Sequence, residues 1–112
     1  MTGRLTTHVL DTAGGGPAKG MTIELFRLQP ERQRLGGWTT NADGRCDAPL
    51  LSGSALLPGP YELLFAVGAW RTGGDPGFYD EVPIRFRVTD PSVHYHVPLI
   101  LAPFGYSTYR GS

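Results

Sequence analysis

Turn-forming residues interrupt this chain at short intervals, and this spacing constrains its fold more than any other feature. The 112 residues include 16 glycines and 10 prolines. Both residue types destabilise helix interiors, so a bundle of long helices is excluded. The main turn signals lie at residues 14–17, 36–37, 41–44, 57–60, 73–77, 90–91 and 103–105. Because only short segments separate these turns, the pattern predicts an all-β protein.

The segments between the turns are rich in Val, Ile, Leu, Tyr, Phe and Thr, which favour strands. We predict seven strands, near residues 4–11, 21–29, 33–41, 59–67, 82–89, 93–102 and 105–111. This number of short strands indicates a β-sandwich or barrel, formed by one domain over residues 1–112. Residues 69–72 do not fit the alternating pattern and predict a single helical turn.

Alternation along each strand predicts which side chains face the core. In the first strand Leu5, Thr7 and Val9 share one face, and His8 lies on the opposite one. In the run 93–101 one face is apolar and the other carries His96. Its apolar members are Val93, Tyr95, Val97, Leu99 and Leu101. His8 and His96 are therefore expected to point away from the core.

Charge and cysteine content exclude several classes of protein. Ten basic and ten acidic residues give a formal net charge of zero, which argues against nucleic-acid binding. The absence of an 18-residue apolar run excludes a transmembrane helix. The single cysteine, Cys46, excludes a disulfide framework. We therefore expect a cytoplasmic protein with neither a nucleic-acid nor a membrane partner.

A few residues could carry chemistry. His8, Arg45 and His96 could converge in a sandwich, with the histidines as general acid or base and the arginine as an anion-stabilising group. Two histidines at positions 94 and 96 share a strand face, and with His8 they could ligate zinc. No acidic residue adjoins them as a supporting hydrogen-bond partner, so no metal is expected. Cys46 is expected to be a small apolar filler rather than a nucleophile.

Four segments of the chain resemble the transthyretin-related 5-hydroxyisourate hydrolases. They are LTTHVLDTA at 5–13, TNADGR at 40–45, HYHVPL at 94–99 and GYSTYRGS at 105–112. The Tyr-Arg-Gly-Ser ending is the family's signature and separates these enzymes from the hormone carrier transthyretin. The resemblance covers essentially the whole chain, with the segments in the family's order and spacing.

The resemblance implies a transthyretin-like β-sandwich of two four-stranded sheets, with one short helix after the fifth strand. It also implies a homotetramer whose active sites lie at the dimer–dimer interface, around a central channel. In that arrangement the sheet that carries His8 and His96 faces the channel. By the same register Ser107 and Tyr109 are expected to line it.

The activity implied by the resemblance is hydrolysis of 5-hydroxyisourate to 2-oxo-4-hydroxy-4-carboxy-5-ureidoimidazoline in urate degradation, without a cofactor. The implied catalytic residues are His8, Arg45, His96 and Ser112. The implied substrate-binding residues are His8, Arg45, Tyr109, Arg110 and Gly111. The sequence does not decide which histidine is the general base. Since no acidic orienter is predicted, a backbone or hydroxyl group is expected to set its tautomer.

Two other functions share the same fold. One is a non-catalytic carrier of small ligands, because a shared fold does not fix the chemistry of a site. The other is a structural interaction module. The polar residues His8, Arg45 and His96 argue against the carrier, and the polar strand faces argue against the module.

Overall fold

A computed structural model describes residues 3–71 and 77–111 of the chain. Over these residues it contains nine strands, one 3₁₀ turn at Gly53–Ala55 and one helical turn. The strands are β1 (Arg4–Asp11), β2 (Gly16–Pro17), β3 (Thr22–Arg27), β4 (Gln33–Thr39), β5 (Leu51–Ser52), β6 (Gly59–Ala66), β7 (Glu81–Val88), β8 (Tyr95–Leu101) and β9 (Tyr106–Thr108). The helical turn α1 spans Val67–Trp70.

The strands form two sheets. One has four strands in the order β4-β3-β6-β7, all antiparallel. The other has five, in the order β2-β1-β8-β9 with β5 also paired to β1. Its central pair, β1 and β8, is parallel. The all-β sandwich is therefore confirmed. The sheet that contains β1 has five strands rather than the expected four, because the two-residue β2 and β5 both pair with β1. For the same reason α1 follows the sixth strand rather than the fifth.

The core lies between the sheets and is made by alternate residues of the strands. Leu5, Val9 and Leu99 from the five-stranded sheet are fully buried, as are Leu63 and Phe65 from the other. These side chains share one face of their strands, as the alternation predicted. The opposite face of each sheet is left for polar side chains.

The structure corrects the predicted starts of the helical turn and of β8. The helical turn begins at Val67 rather than Ala69, because Val67 is buried and its carbonyl accepts the Arg71 N–H; Thr72 lies outside the described residues. Val93 was placed on the apolar face but is exposed. A turn held by the Val93 N–H to the Asp90 carbonyl delays β8 until Tyr95.

Candidate active site

The outer face of the five-stranded sheet carries the predicted histidines. In the parallel register of β1 and β8, Thr6 lies beside His96 and His8 lies beside Pro98. Thr6, His8 and His96 are half-buried, whereas Leu5 and Val9, which alternate with them, are fully buried. Both histidines therefore point away from the core, as the sequence predicted. The pleat of two adjacent strands brings them onto one surface.

A tight turn brings Arg45 to this surface. The Asn41 side-chain carbonyl accepts the backbone N–H groups of Asp43, at 2.9 Å, and Arg45, at 3.1 Å. Gly44 has a φ of 74°, and a Cβ there would collide with the Val9 carbonyl oxygen. The Val9 N–H in turn donates to the Gly44 carbonyl at 2.8 Å. The turn is thus pressed against β1, and Arg45 forms an antiparallel bridge with His8.

The same turn orients the His8 ring. His8 Nε2 lies 2.8 Å from the backbone carbonyl oxygen of Asp43. A carbonyl oxygen only accepts hydrogen bonds, so Nε2 carries the proton and donates it. Nδ1 is then the nitrogen whose lone pair is available when the ring is neutral. The expectation that a backbone group sets a histidine tautomer is confirmed at His8.

His96 is held by three neighbours. Its Nδ1 lies 2.8 Å from the Thr6 hydroxyl oxygen, and its ring stacks on His94 with centroids 6.3 Å apart. On the remaining side Gly111 donates its N–H to the His96 carbonyl at 2.7 Å. A Cβ on Gly111 would lie only 2.5 Å from the Cδ2 atom of the His96 ring. Glycine is therefore required for the C-terminal segment to lie against this imidazole.

The environment of His96 favours its neutral form. Burial lowers the pKa of the His96 imidazole below its ordinary value, and the positive charges of Arg45, His8 and His94 lower it further. No ion pair with a carboxylate offsets these effects at His96 among the described residues. At neutral pH His96 is therefore an uncharged imidazole beside a permanent cation.

Arg45 and His96 border an open cleft of about 400 Å³, whereas His8 lies beside it on the same surface and is not among its lining residues. It is lined by Arg4, Thr6, Thr7, Arg45, Cys46, Asp47, Ala48, Pro49, His94 and His96. Burial, and to a lesser degree Asp47, raises the pKa of the Cys46 thiol. The thiol is therefore protonated at neutral pH, and Cys46 packs against the core. The two histidines and two arginines of this cleft can bind a small polar molecule and act on its carbonyl groups.

The other predicted site residues lie elsewhere or beyond the described part. Tyr109 and Arg110 line a second cleft of about 380 Å³, together with Phe86 and Tyr95. The Arg110 guanidinium lies 4.4 Å from the centre of the Tyr95 ring. Within one protomer these two residues are thus not brought to the His96 cleft, whereas Gly111 lies against the His96 ring. Ser112 lies outside the described residues.

Two site residues were not singled out from the sequence. Thr6 contacts both His94 and His96, and Asn41 shapes the turn that holds His8 and Arg45. The signal for Thr6 was its position two residues before His8 on the same strand face. The signal for Asn41 was the turn sequence 41–44, whose first residue commonly binds the backbone N–H two residues later.

Neither a metal cluster nor a membrane helix is found in the part of the chain that the structure describes. Over residues 3–71 and 77–111 no group of three His, Cys, Asp or Glu side chains is arranged to hold a metal ion. The zinc hypothesis for His8, His94 and His96 therefore gains no support. None of the described helices is long and apolar enough to cross a membrane.

Comparison with known proteins adds an independent line of evidence. Residues 5–111 match the model of the HIUase/Transthyretin family. A relative from Mesorhizobium japonicum, named 5-hydroxyisourate hydrolase, is 56% identical over 116 aligned residues, which cover 98% of this chain and 93% of the relative.

Three solved structures have the same fold. The 5-hydroxyisourate hydrolase of Klebsiella pneumoniae is 38% identical with a TM-score of 0.82, over 98% of this chain and 94% of that one. An (S)-allantoin synthase is 44% identical with a TM-score of 0.89, but the 98% of this chain that matches spans only 44% of that longer chain. Transthyretin from Sparus aurata is 23% identical with a TM-score of 0.89, over 96% of each chain. At that identity the likeness shows the fold alone.

Proposed function

This chain belongs to the HIUase/Transthyretin family, and from that premise we propose that it hydrolyses 5-hydroxyisourate to 2-oxo-4-hydroxy-4-carboxy-5-ureidoimidazoline in urate degradation. The observation that carries the proposal is the convergence of His8, Arg45 and His96 on one surface of the sheet. The 56% identity to a relative named for this activity supports it. The substrate is a small, polar cyclic amide, which suits a cleft of this size and polarity.

His8 is the general base in the proposed mechanism. Its Nε2 is committed to the Asp43 carbonyl, so Nδ1 takes a proton from the attacking water. The water oxygen bonds to the ring carbonyl carbon, and the tetrahedral intermediate then expels the ring nitrogen as the C–N bond breaks. His8 returns its proton to that nitrogen. The proton taken from water is therefore released to the product, and no net proton remains on the enzyme.

Arg45 and His96 act on the oxygen of the attacked carbonyl. Negative charge develops on this oxygen as the water adds, and a fixed guanidinium stabilises it without reorganisation. Burial lowers the pKa of His96 and the charge of Arg45 lowers it further, so His96 is neutral and can donate a hydrogen bond to this oxygen. Ser112 is proposed to hydrogen-bond to the substrate, and the backbone of Gly111, which lies against the His96 ring, to contact it.

Tyr109 and Arg110 require the assembly in this proposal. In one protomer they line the second cleft, so their proposed substrate contacts depend on neighbouring copies. We propose a homotetramer of this one-domain chain with active sites at the dimer–dimer interface. Sedimentation velocity should give a tetramer, and a monomer that retains full activity would contradict this arrangement. The cytoplasmic location stays a prediction that cell fractionation can test.

The test of the activity uses 5-hydroxyisourate generated freshly from urate by urate oxidase. Its ultraviolet absorbance is followed with and without the protein, because the compound also decays spontaneously. We expect faster decay with the protein and loss of the acceleration in His8→Gln. No acceleration by the folded protein would overturn the proposal and leave the non-catalytic carrier of small ligands as the function to pursue.

A further inference from the structure

One hydroxyl group stands between two imidazole rings on the outer face of the five-stranded sheet. Thr6 Oγ1 lies 2.8 Å from His96 Nδ1 and 3.2 Å from His94 Nε2. A threonine hydroxyl has a single proton, so it donates to only one of these nitrogens and must accept from the other. The three side chains therefore have two possible orders of donation, and each order fixes a different tautomer of His96.

The surroundings of His94 select between the two orders. Its Nδ1 is buried and has no hydrogen-bond partner among the described residues. A neutral imidazole has one proton, and that proton is more stable on the nitrogen that has an acceptor. His94 Nε2 thus donates to Thr6, and Thr6 donates to His96 Nδ1. The distances agree, because O–H donors give shorter hydrogen bonds than N–H donors.

We infer that Thr6, with His94 behind it, is a positioning residue that holds His96 with its proton on Nε2. With Nδ1 occupied as an acceptor, a neutral His96 presents an N–H group at its other nitrogen. No described residue forms a hydrogen bond with that Nε2, and the ring lines the cleft beside Arg45. This inference rests on the proposed function and sharpens it: His96 is a neutral donor to the developing oxyanion, and His8 alone exchanges protons.

The tautomer is measured directly by ¹⁵N NMR on uniformly labelled wild-type protein at pH 7.5. The His96 ring signals are assigned by their loss in His96→Gln. We expect a protonated Nε2 and an unprotonated Nδ1. A protonated Nδ1, or an equal mixture of both tautomers, would overturn the inference. This result does not depend on the activity, so it stands apart from any failure of the proposed function.

Variants then test which side chains impose the tautomer. Thr6→Val removes the hydroxyl at constant shape, and His94→Phe keeps a stacked ring but removes the donor. Both should raise the fraction of His96 with the proton on Nδ1, and Thr6→Ser should restore the wild-type spectrum. Unchanged His96 signals in both Thr6→Val and His94→Phe would overturn the inference. Thr12→Val is the matched control. Thr12 directly follows β1, and its hydroxyl donates to the Leu101 carbonyl, away from the cleft.

Kinetics link the tautomer to the reaction. In Thr6→Val we expect kcat to fall at least about tenfold with KM changed less than about twofold, because the lost interaction forms in the transition state. Thr6→Ser should recover most of kcat, and Thr12→Val should resemble the wild type. A Thr6→Val enzyme with wild-type kcat and an altered tautomer would show that the tautomer is irrelevant to catalysis, which overturns the inferred role.

Discussion

The outer faces of the two sheets differ in whether their charged side chains form ion pairs. On the four-stranded sheet two carboxylates are paired with arginines: Glu24 contacts Arg34 at 2.7 Å, and Glu62 contacts Arg32 at 2.8 Å and Arg85 at 3.0 Å. On the five-stranded sheet no ion pair is found among the described residues. Its polar side chains are held instead by a backbone carbonyl and a hydroxyl, neither of which neutralises a charge.

This difference separates a stabilising surface from a reactive one. Burial opposes ionisation of Glu62, but the hydrogen bonds and charges of Arg32 and Arg85 outweigh it and lower the pKa of its carboxyl group. Because these charges already form ion pairs, they are poorly suited to bind a charged ligand. Beside the cleft, Arg45 has no carboxylate partner in the described chain, so its field acts on His96 and on whatever binds there.

The strongest test of this contrast compares two arginines. Arg45→Gln should lower kcat/KM for 5-hydroxyisourate by about 10²–10³-fold, the usual cost of losing one group that stabilises an oxyanion. Arg34→Gln is the matched control, because it removes an arginine paired to Glu24 on the other sheet. Its kcat/KM should stay within about twofold of the wild type. Equal losses in the two variants would contradict the assignment of the cleft as the active site.

A second test displaces the His96 ring without changing any charge. Gly111→Ala adds one Cβ that meets Cδ2 of His96, so the ring must move. A shift of this kind should lower kcat/KM by about 10–100-fold. Gly105→Ala, in the same C-terminal segment, adds a Cβ into open space and should leave kcat/KM unchanged. A fully active Gly111→Ala enzyme would show that the His96 position is not critical.

The strands were predictable because local pattern determines them. Alternation placed His8 and His96 on the outer face, since the side-chain period of a strand is fixed at two residues. The first predicted strand, residues 4–11, coincides with β1. The two-residue strands β2 and β5 could not be predicted, because segments so short carry no periodicity. Both are defined by their pairing with β1, β2 across a short turn and β5 through a long-range contact that the sequence does not display.

The site was predictable only in part. His8, Arg45 and His96 were candidates from the sequence itself, and the family resemblance supported them, but their orientation depends on contacts between distant segments. Asp43 holds His8 through a backbone oxygen, which any residue type would provide. Thr6 and His96 are 90 positions apart, and only the parallel pairing of β1 with β8 brings them together. Tyr109 lies one residue beyond the end of β9 and lines the second cleft instead.

The ion pairs on the outer face of the four-stranded sheet should affect stability rather than activity. Glu62→Gln removes the charge that binds two arginines and should lower the free energy of unfolding by about 1–2 kcal/mol, a modest value because both arginines are largely exposed. Glu24→Gln, which breaks one exposed pair, should cost less than about 0.5 kcal/mol. Urea unfolding measures both. A large loss of kcat/KM in Glu62→Gln would contradict the division between the two faces.

The smallest expected effect is the pH dependence that His96 adds to stability. Its pKa in the folded protein is lowered by burial and by Arg45, His8 and His94, so below about pH 6.5 the unfolded chain takes up a proton that the folded site resists. The contribution of His96 to the free energy of unfolding is therefore fully present above about pH 6.5 and is lost as the pH falls through the pKa of His96 in the folded protein.

Replacing His96 by Gln removes this dependence, so the wild type should lose more stability than His96→Gln between pH 7.5 and pH 5. Urea unfolding at one fixed protein concentration measures the difference, because any assembly makes the midpoint depend on concentration. Parallel curves for the two proteins would mean that neither burial nor the charge of Arg45 lowers the pKa of His96. The lack of a carboxylate partner for Arg45 among the described residues would then not explain the proposed chemistry of the cleft.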